Sequence, residues 1–180
     1  KQQKNIKALC IEASPRVYHY LQYNIEQNHL QNCIVINKAV TETENETVDF
    51  FSPVEKFGKG SLGNVFTQEA EKVETITLNS ILTQNVFEQI DFIKIDTDGH
   101  EYEVFKGAKK AIAKYRPKII FEIGLYVMDE KNISFDYYYN YFKDLNYKLF
   151  DTKSDVEISL ENYRKHIPQK GSTDLIAVPQ

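Results

Sequence analysis

Short apolar runs separated by polar turns recur along the chain, and they predict alternating strands and helices. The run at 6–14 predicts a buried strand that ends at Glu12, and a helix follows at 14–28, where Ser14 suits the N-cap. A second apolar strand is predicted at 32–40. A strand, a helix and a strand in close succession indicate a βαβ unit, and therefore a parallel sheet.

The alternation continues through the rest of the chain. An apolar strand at 89–96 leads into a long helical pattern at 99–115, whose apolar residues recur every three or four positions. The other predicted elements are a turn and strand at 41–51, a loop at 58–64, a strand and short helix at 73–82, a strand at 118–124, a helix at 134–146 capped by Ser134, and an antiparallel pair at 147–151 and 173–179 joined by a long polar loop. We expect one three-layer α/β domain over residues 1–180, with a mostly parallel sheet and a C-terminal antiparallel hairpin.

Composition narrows the class of protein. The 180 residues suit one domain with a full core, and a net charge of −4 gives no basic surface for nucleic acid. No stretch approaches the roughly 18 apolar residues that span a bilayer, so no membrane partner is expected. Cys10 and Cys33 lie in apolar runs without metal-ligand spacing, which predicts buried free thiols, no metal site and a cytoplasmic location.

Four predicted strands end in polar or acidic residues. Glu12 ends the first strand, Lys38 and Ala39 the second, Asp96 and Asp98 the strand at 89–96, and Glu122 the strand at 118–124. The carboxyl ends of parallel strands meet at one edge of a sheet, where ligands bind. Several acids on one edge favour a ligand that carries hydroxyl and cationic groups.

Residues around the "DTDGHE" stretch also have structural explanations. We expect Gly99 to satisfy a backbone requirement, Glu101 to accept main-chain amides after Asp96, and His100 to face solvent in the first helical turn. Lys94 is expected to reach solvent or pair with an acid, with no catalytic role.

Several segments in the right order resemble the FkbM-type methyltransferases, which use S-adenosylmethionine. They are "CIEASPRVYHYLQYNIEQNHLQNCIVINKAV", "ITLNSIL", "IDFIKIDTDGHEYEVFKGAKKAI" and "RPKIIFEI", within residues 6–124. The central family motif reads Lys-Ile-Asp-x-Glu-Gly-x-Glu; Lys94, Asp96, Gly99 and Glu101 match it, whereas Asp98 replaces the usual glutamate. The resemblance implies a Rossmann-like methyltransferase fold.

The resemblance also implies roles for the strand ends. Glu12 would hold the ribose of S-adenosylmethionine with Ala13 beside it, and Lys38 and Ala39 would lie beside the adenine. Asp96 would face the methionine end of the cofactor. Asp96, Asp98 and Glu122 are the implied catalytic residues, with His100 a further candidate base. The acceptor would be a hydroxyl or carboxyl oxygen of a small molecule or saccharide, between loops at 54–65 and 126–136.

One expected part of the family pattern is missing. These methyltransferases carry a glycine-rich loop after the first strand, in a sheet of order 3-2-1-4-5-7-6, yet the first glycine here is Gly58. We expect the chain to be a fragment, preceded by a strand, Asp-x-Gly-x-x-x-Gly and a helix; the strand could also come from another chain, or cofactor binding could be lost.

Two other functions stay open at this point. Asp96-x-Asp98 after a strand resembles the metal-binding pair of a glycosyltransferase that uses a nucleotide sugar. A Rossmann-like binding or assembly domain without turnover is the alternative that is not an enzyme.

Overall fold

The structure, a computed structural model, describes residues 6–51, 62, 70–83 and 87–180. They belong to two compact units, Lys1–Thr77 and Leu78–Gln180. The loop predicted at 58–64 and most of the site wall predicted at 54–65 lie outside the described residues. The single domain predicted from the sequence stays a prediction.

The N-terminal unit begins with the predicted βαβ unit. Its elements are β1 (Ala8–Glu12), α1 (Pro15–Gln27) and β2 (Cys33–Asn37). β1 and β2 are parallel, with Glu12 opposite Asn37 at their carboxyl ends. Ser14 caps α1 as predicted, because its Oγ accepts the main-chain N–H of Val17 at 3.3 Å. Cys10 and Cys33 are free, as predicted, but they are half-buried rather than buried.

A second sheet completes this unit. It consists of β3 (Ala39–Val40), β5 (Glu71–Ile76) and β4 (Thr47–Phe50) in that spatial order. β3 runs parallel to β5, and β4 runs antiparallel to it. The single strand predicted at 32–40 is wrong, because β2 pairs with β1 whereas β3 pairs with β5. Lys38 lies at the break between β2 and β3.

The C-terminal unit is built on a five-stranded sheet. Its elements are α2 (Leu78–Thr83), β6 (Phe92–Ile95), α3 (Glu101–Lys106), α4 (Lys109–Tyr115), β7 (Lys118–Ile123), α5 (Leu125–Glu130), α6 (Phe135–Asp144), β8 (Tyr147–Asp151), β9 (Glu157–Ile158), α7 (Tyr163–His166) and β10 (Thr173–Pro179). The strand order is β6-β7-β10-β8-β9. β6 and β7 are parallel, and β10 lies antiparallel between β7 and β8, which confirms the predicted C-terminal pair.

These pairings agree with parts of the order expected from the sequence. The spatial order β6-β7-β10-β8 is the order expected for family strands 4, 5, 7 and 6. The strands β1 and β2 are neighbours, as family strands 2 and 3 would be. The described sheets mix parallel and antiparallel pairs, so the observed class is mixed α/β. The three-layer, mostly parallel arrangement stays a prediction.

The helix predicted at 99–115 is interrupted, and Asn79 explains where. The Asn79 main-chain N–H donates to the carbonyl of Gly107 at 2.8 Å, and its side-chain Oδ1 accepts the N–H of Ala111 at 2.8 Å. In a continuous helix the Gly107 carbonyl and the Ala111 N–H would bond to each other. Asn79 of α2 therefore binds both of these groups, and the helix is interrupted between α3 and α4.

Two smaller predictions in this unit are confirmed only in part. Residues 126–136 were expected to form a loop, but α5 covers their first part. Ser134 lies at the N-cap position of α6, yet its side chain makes no capping hydrogen bond. The long polar connection after β8 also contains β9 and α7.

Aromatic side chains fill the core on one face of this sheet. Phe121 of β7 lies between Phe105 of α3 and Phe142 of α6, with ring centroids 5.0 and 5.3 Å away. Alternate residues of a strand face opposite sides of a sheet. Glu122 consequently lies on the other face, where the sheet is partly open to solvent. Among the described residues no helix combines the length and apolar character needed to cross a bilayer.

Candidate functional site

The carboxyl ends of β1 and β2 bring Glu12 next to Asn37. Glu12 Oε1 accepts the main-chain N–H of Ser14 at 2.7 Å, which places the carboxylate beside the start of α1. Asn37 Nδ2 donates to the carbonyls of Glu12 and Ala13 at 2.8 and 3.0 Å. Asn37 thereby joins the end of β2 to the turn that holds Glu12. The sequence analysis did not identify Asn37, because its neighbours Ile36 and Lys38 give no sign that its side chain bonds to the adjacent strand.

Lys38 and Ala39 follow directly after this edge. Lys38 Nζ lies 2.9 Å from Glu74 Oε2, and this hydrogen bond with Lys38 lowers the pKa of Glu74. The Lys38 side chain is half-buried, whereas Ala39 is only 3% exposed. Lys38 is therefore paired with Glu74, while the side chain of Ala39 belongs to the interior.

In the C-terminal unit, the turn after β6 folds around Glu101. Glu101 is 3% exposed, and its Oε1 accepts the Thr97 N–H at 2.8 Å, the Thr97 hydroxyl at 2.9 Å and the Gly99 N–H at 3.4 Å. Burial raises the pKa of Glu101, and the hydrogen bonds from Thr97 oppose that rise. The expected structural role of Glu101 is confirmed.

Gly99 meets two requirements of this turn. Its φ of +98° lies in the left-handed region, directly after Asp98 at +49°. A Cβ on Gly99 would lie 2.9 Å from Cγ1 of Val127, so the turn also packs closely against α5. The expectation that backbone geometry requires glycine at this position is confirmed.

Asp96 is held by a neighbouring cation. Lys94 Nζ lies 2.8 Å from Asp96 Oδ2, as expected for a strand lysine that pairs with an acid. The hydrogen bond to Asp96 raises the pKa of Lys94. Among the described residues, no group of three or more His, Cys, Asp or Glu side chains converges as metal ligands would. The Asp96 carboxylate is therefore engaged by Lys94.

His100 is less exposed than the sequence predicted. It occupies the N-cap position of α3 and is half-buried, so the solvent-facing position expected for it is wrong. Burial lowers the pKa of His100, and the positive charge of Lys131 lowers it further. Lys131 Nζ itself forms an ion pair with Glu103 Oε1 at 2.8 Å. The neutral form of the His100 imidazole is therefore favoured. This form can accept a proton, but that alone does not identify His100 as the base.

Glu122 lies beside the antiparallel strand β10. Asp174 is opposite it in register, and the Ser172 hydroxyl donates to Glu122 Oε1. The sequence reasoning missed Ser172 because it is 50 positions away and its approach depends on the pairing of β7 with β10. The expected strand order placed 173–179 beside 118–124, but it did not fix the register that brings Ser172 to Glu122.

A cleft opens where β7 ends. Its interior is small, about 10 Å³, which is room for about one water molecule. Its walls include Gly99, Glu101, Glu122, Tyr126, Tyr138 and Ser172. Burial raises the pKa of Tyr126, and the negative charge of Glu122 adds to that rise. The cleft therefore combines carboxylates with hydroxyl groups.

The predicted site residues divide between the two units. Glu12, Ala13, Lys38 and Ala39 lie together in the N-terminal unit, at adjoining ends of β1 and β2. Asp96, Asp98 and Glu122 lie in the C-terminal unit, where Glu122 lines the cleft. The meeting of both groups on one edge stays a prediction, as do their roles.

Parallel strand pairs with acids at their carboxyl ends are typical of α/β domains that bind nucleotide-like ligands at such ends. The family model described as the methyltransferase FkbM domain matches residues 2–149. The chain therefore belongs to the FkbM methyltransferase domain family, and the methyltransferase predicted from its sequence is confirmed at the level of the family. No curated protein matches the chain.

A solved structure gives the same picture of the fold. The crystal structure of methyltransferase FkbM from Methylobacillus flagellatus KT is similar, with a TM-score of 0.54 and 17% sequence identity. The match covers 95% of this chain and 36% of that one. At this identity the likeness concerns the fold, and the chain spans about a third of the length of the similar structure.

Proposed function

We propose that this chain carries out S-adenosylmethionine-dependent methyl transfer to an oxygen atom of a small molecule or saccharide. Membership of the FkbM family supports methyl transfer in general. The observation that supports the cofactor is the carboxylate of Glu12, held at the carboxyl end of β1 beside the end of a parallel neighbour.

The residues at this edge fit the chemistry of the cofactor. A carboxylate accepts hydrogen bonds, and the ribose of S-adenosylmethionine offers two hydroxyl donors. Glu12 would hold these hydroxyls, with Ala13 beside them, and the stem of Lys38 would line the adenine. Because the Ala39 side chain is 3% exposed, Ala39 would contribute through its main chain.

The C-terminal unit would position the acceptor. The cofactor supplies an electrophilic methyl group, so the protein has to orient the acceptor oxygen and receive its proton. Glu122 is the candidate base that lines the cleft. Asp96 Oδ2 is bonded to Lys94, so Oδ1 is the oxygen it would turn to a ligand. Asp98 and His100 stay further candidates.

Calorimetric titration of the full-length protein with S-adenosylhomocysteine tests the cofactor site. Glu12→Gln keeps the size of the side chain but removes the charge, and hydrogen bonds to charged groups contribute about 1.5–3 kcal/mol each. We expect about tenfold weaker binding or more. The control is Glu26→Gln, which removes one charge from an exposed position on α1.

Each alternative result has a clear meaning. Equal binding by the Glu12 and Glu26 variants would contradict the assigned ribose contact. Manganese-dependent binding of UDP-glucose in place of S-adenosylhomocysteine would indicate a glycosyltransferase. Binding of neither compound would favour a domain without turnover.

A further inference from the structure

The turn after β6 and the start of α3 are attached to α5 at two points. Gly99 packs against Val127, since a Cβ on Gly99 would lie 2.9 Å from Val127 Cγ1. Glu103, in the first turn of α3, pairs through Oε1 with Lys131 Nζ at the C-cap of α5, at a distance of 2.8 Å. His100 lies between these two points of attachment in the chain.

The ion pair between Glu103 and Lys131 has little further support. The second carboxylate oxygen of Glu103, Oε2, is buried and has no hydrogen-bond partner among the residues that the structure describes. Both side chains are 24% exposed, so solvent screens their charges only in part. A buried polar atom without a partner is unfavourable. A change of charge beside this pair should therefore affect the contact between α3 and α5.

His100 is the group that can supply such a change. It occupies the N-cap position of α3 and is half-buried, and its side chain makes no capping hydrogen bond. The charged groups around it come from three elements: Lys131 from α5, Glu103 from α3 and Asp98 from the turn. Burial lowers the pKa of His100 and the charge of Lys131 lowers it further; together they outweigh the two carboxylates and a hydrogen bond with the Thr97 main chain.

Acid should weaken this arrangement. The pKa of His100 in the folded protein lies below the ordinary value of 6.5, so a conformation that exposes His100 binds the proton more tightly. The stabilisation that neutral His100 provides is present above pH 6.5 and is lost as the pH falls below that value. Proton uptake thus favours states in which His100 leaves its position beside Lys131.

We propose that His100 is a pH-sensitive switch, which keeps the turn after β6 against α5 when neutral and releases the turn when protonated. In the released state Gly99 separates from Val127, and both residues line the cleft at the end of β7. The switch therefore couples pH to the shape of the cleft wall. It requires no cofactor, so it does not depend on the proposed methyl transfer.

Nuclear magnetic resonance of the full-length protein during a pH titration tests this switch. The ring signals of His100 should titrate below pH 6.5. The Gly99 amide signal and the Val127 methyl signals should shift with the same midpoint, because the turn is released as the imidazole gains its proton. His100→Gln replaces the imidazole by an amide that does not titrate, and it should abolish the shifts at Gly99 and Val127.

Two charge variants should move the midpoint in opposite directions. Lys131→Met removes the repelling charge and should raise the pKa of His100, whereas Glu103→Gln removes an attracting charge and should lower it. Lys110→Met is the control, because Lys110 is exposed on α4 and is not among the groups that act on His100. This control should leave the midpoint unchanged.

The proposal is overturned if His100 titrates at or above pH 6.5, if Gly99 and Val127 do not follow its titration, or if Lys131→Met leaves the midpoint unchanged. The wild type and His100→Gln decide the question even where a charge variant fails to fold. None of these measurements involves S-adenosylhomocysteine, so the methyl-transfer proposal is judged separately.

Discussion

Replacement of Gly99 by alanine should destabilise the protein through two separable effects. Gly99 has a φ of +98°, and an added Cβ would lie 2.9 Å from Cγ1 of Val127. The left-handed conformation costs a residue with a Cβ about 1–2 kcal/mol. An added methyl group in a packed region costs about 1–3 kcal/mol more. We therefore expect a total loss of about 2–5 kcal/mol in the free energy of unfolding.

Gly171 provides a matched control for the first effect. It has a φ of +85°, but no atom lies within 4 Å of the position that its Cβ would take. Gly171→Ala should consequently show the conformational cost alone, about 1–2 kcal/mol. The difference between the two variants measures the packing of Gly99 against Val127.

Urea unfolding followed by circular dichroism gives the change in the free energy of unfolding for each of the two variants, provided that the slope of the transition is unchanged. The double variant Gly99→Ala/Val127→Ala should be more stable than the sum of the single effects by about 1 kcal/mol, since the shortened side chain removes the contact. The reasoning is refuted if Gly99→Ala and Gly171→Ala have the same midpoint, or if the two substitutions in the double variant are simply additive.

Two further predictions concern other hydrogen bonds of the C-terminal unit. Asn79→Ala removes the acceptor of the Ala111 N–H; it should cost about 1 kcal/mol and speed hydrogen exchange at Ala111, and unchanged exchange would contradict this. Hydrogen bonds from the Lys153 N–H and then from His166 lower the pKa of Asp151 from 3.8 to about 2. Since the folded-state pKa is lowered, the stabilisation is present above pH 3.8 and is lost as the pH falls towards about 2. Asp151→Asn should flatten the curve of stability against pH in that window, and an unchanged slope would argue against the contact.

The sequence pattern predicted most of the elements and two of the strand pairings, β1 with β2 and β8 with β10, but not the hydrogen bonds between distant elements. Strands β8 and β10 have the predicted bounds, because alternation of side chains between the two faces is a property of the strand itself. The helix at 99–115 has an equally regular pattern, yet Asn79 of another element separates α3 from α4. Such tertiary hydrogen bonds leave no trace in the periodicity of the segment that they interrupt.

The candidate site could be predicted where its residues follow one another in sequence. Glu12 ends an apolar strand and the Asp96–Glu101 turn follows another, so their position at strand ends follows from the pattern. Ser172 and Tyr138 could not be found in this way. Ser172 reaches Glu122 because β10 pairs with β7, and Tyr138 lines the cleft from a helix whose aromatic residues pack in the core.

The acidic turn after β6 was interpreted as a ligand site, but its acids have different functions in the fold. The buried carboxylate of Glu101 accepts three hydrogen bonds from Thr97 and Gly99, which oppose the effect of its desolvation without cancelling it. Asp96 is held by Lys94. Both acids are therefore engaged by groups of the turn or of the strand before it. Glu122 differs because it faces the cleft that Tyr138 also lines, so the geometry makes it, rather than Asp96, the first carboxylate to test as the acceptor's base.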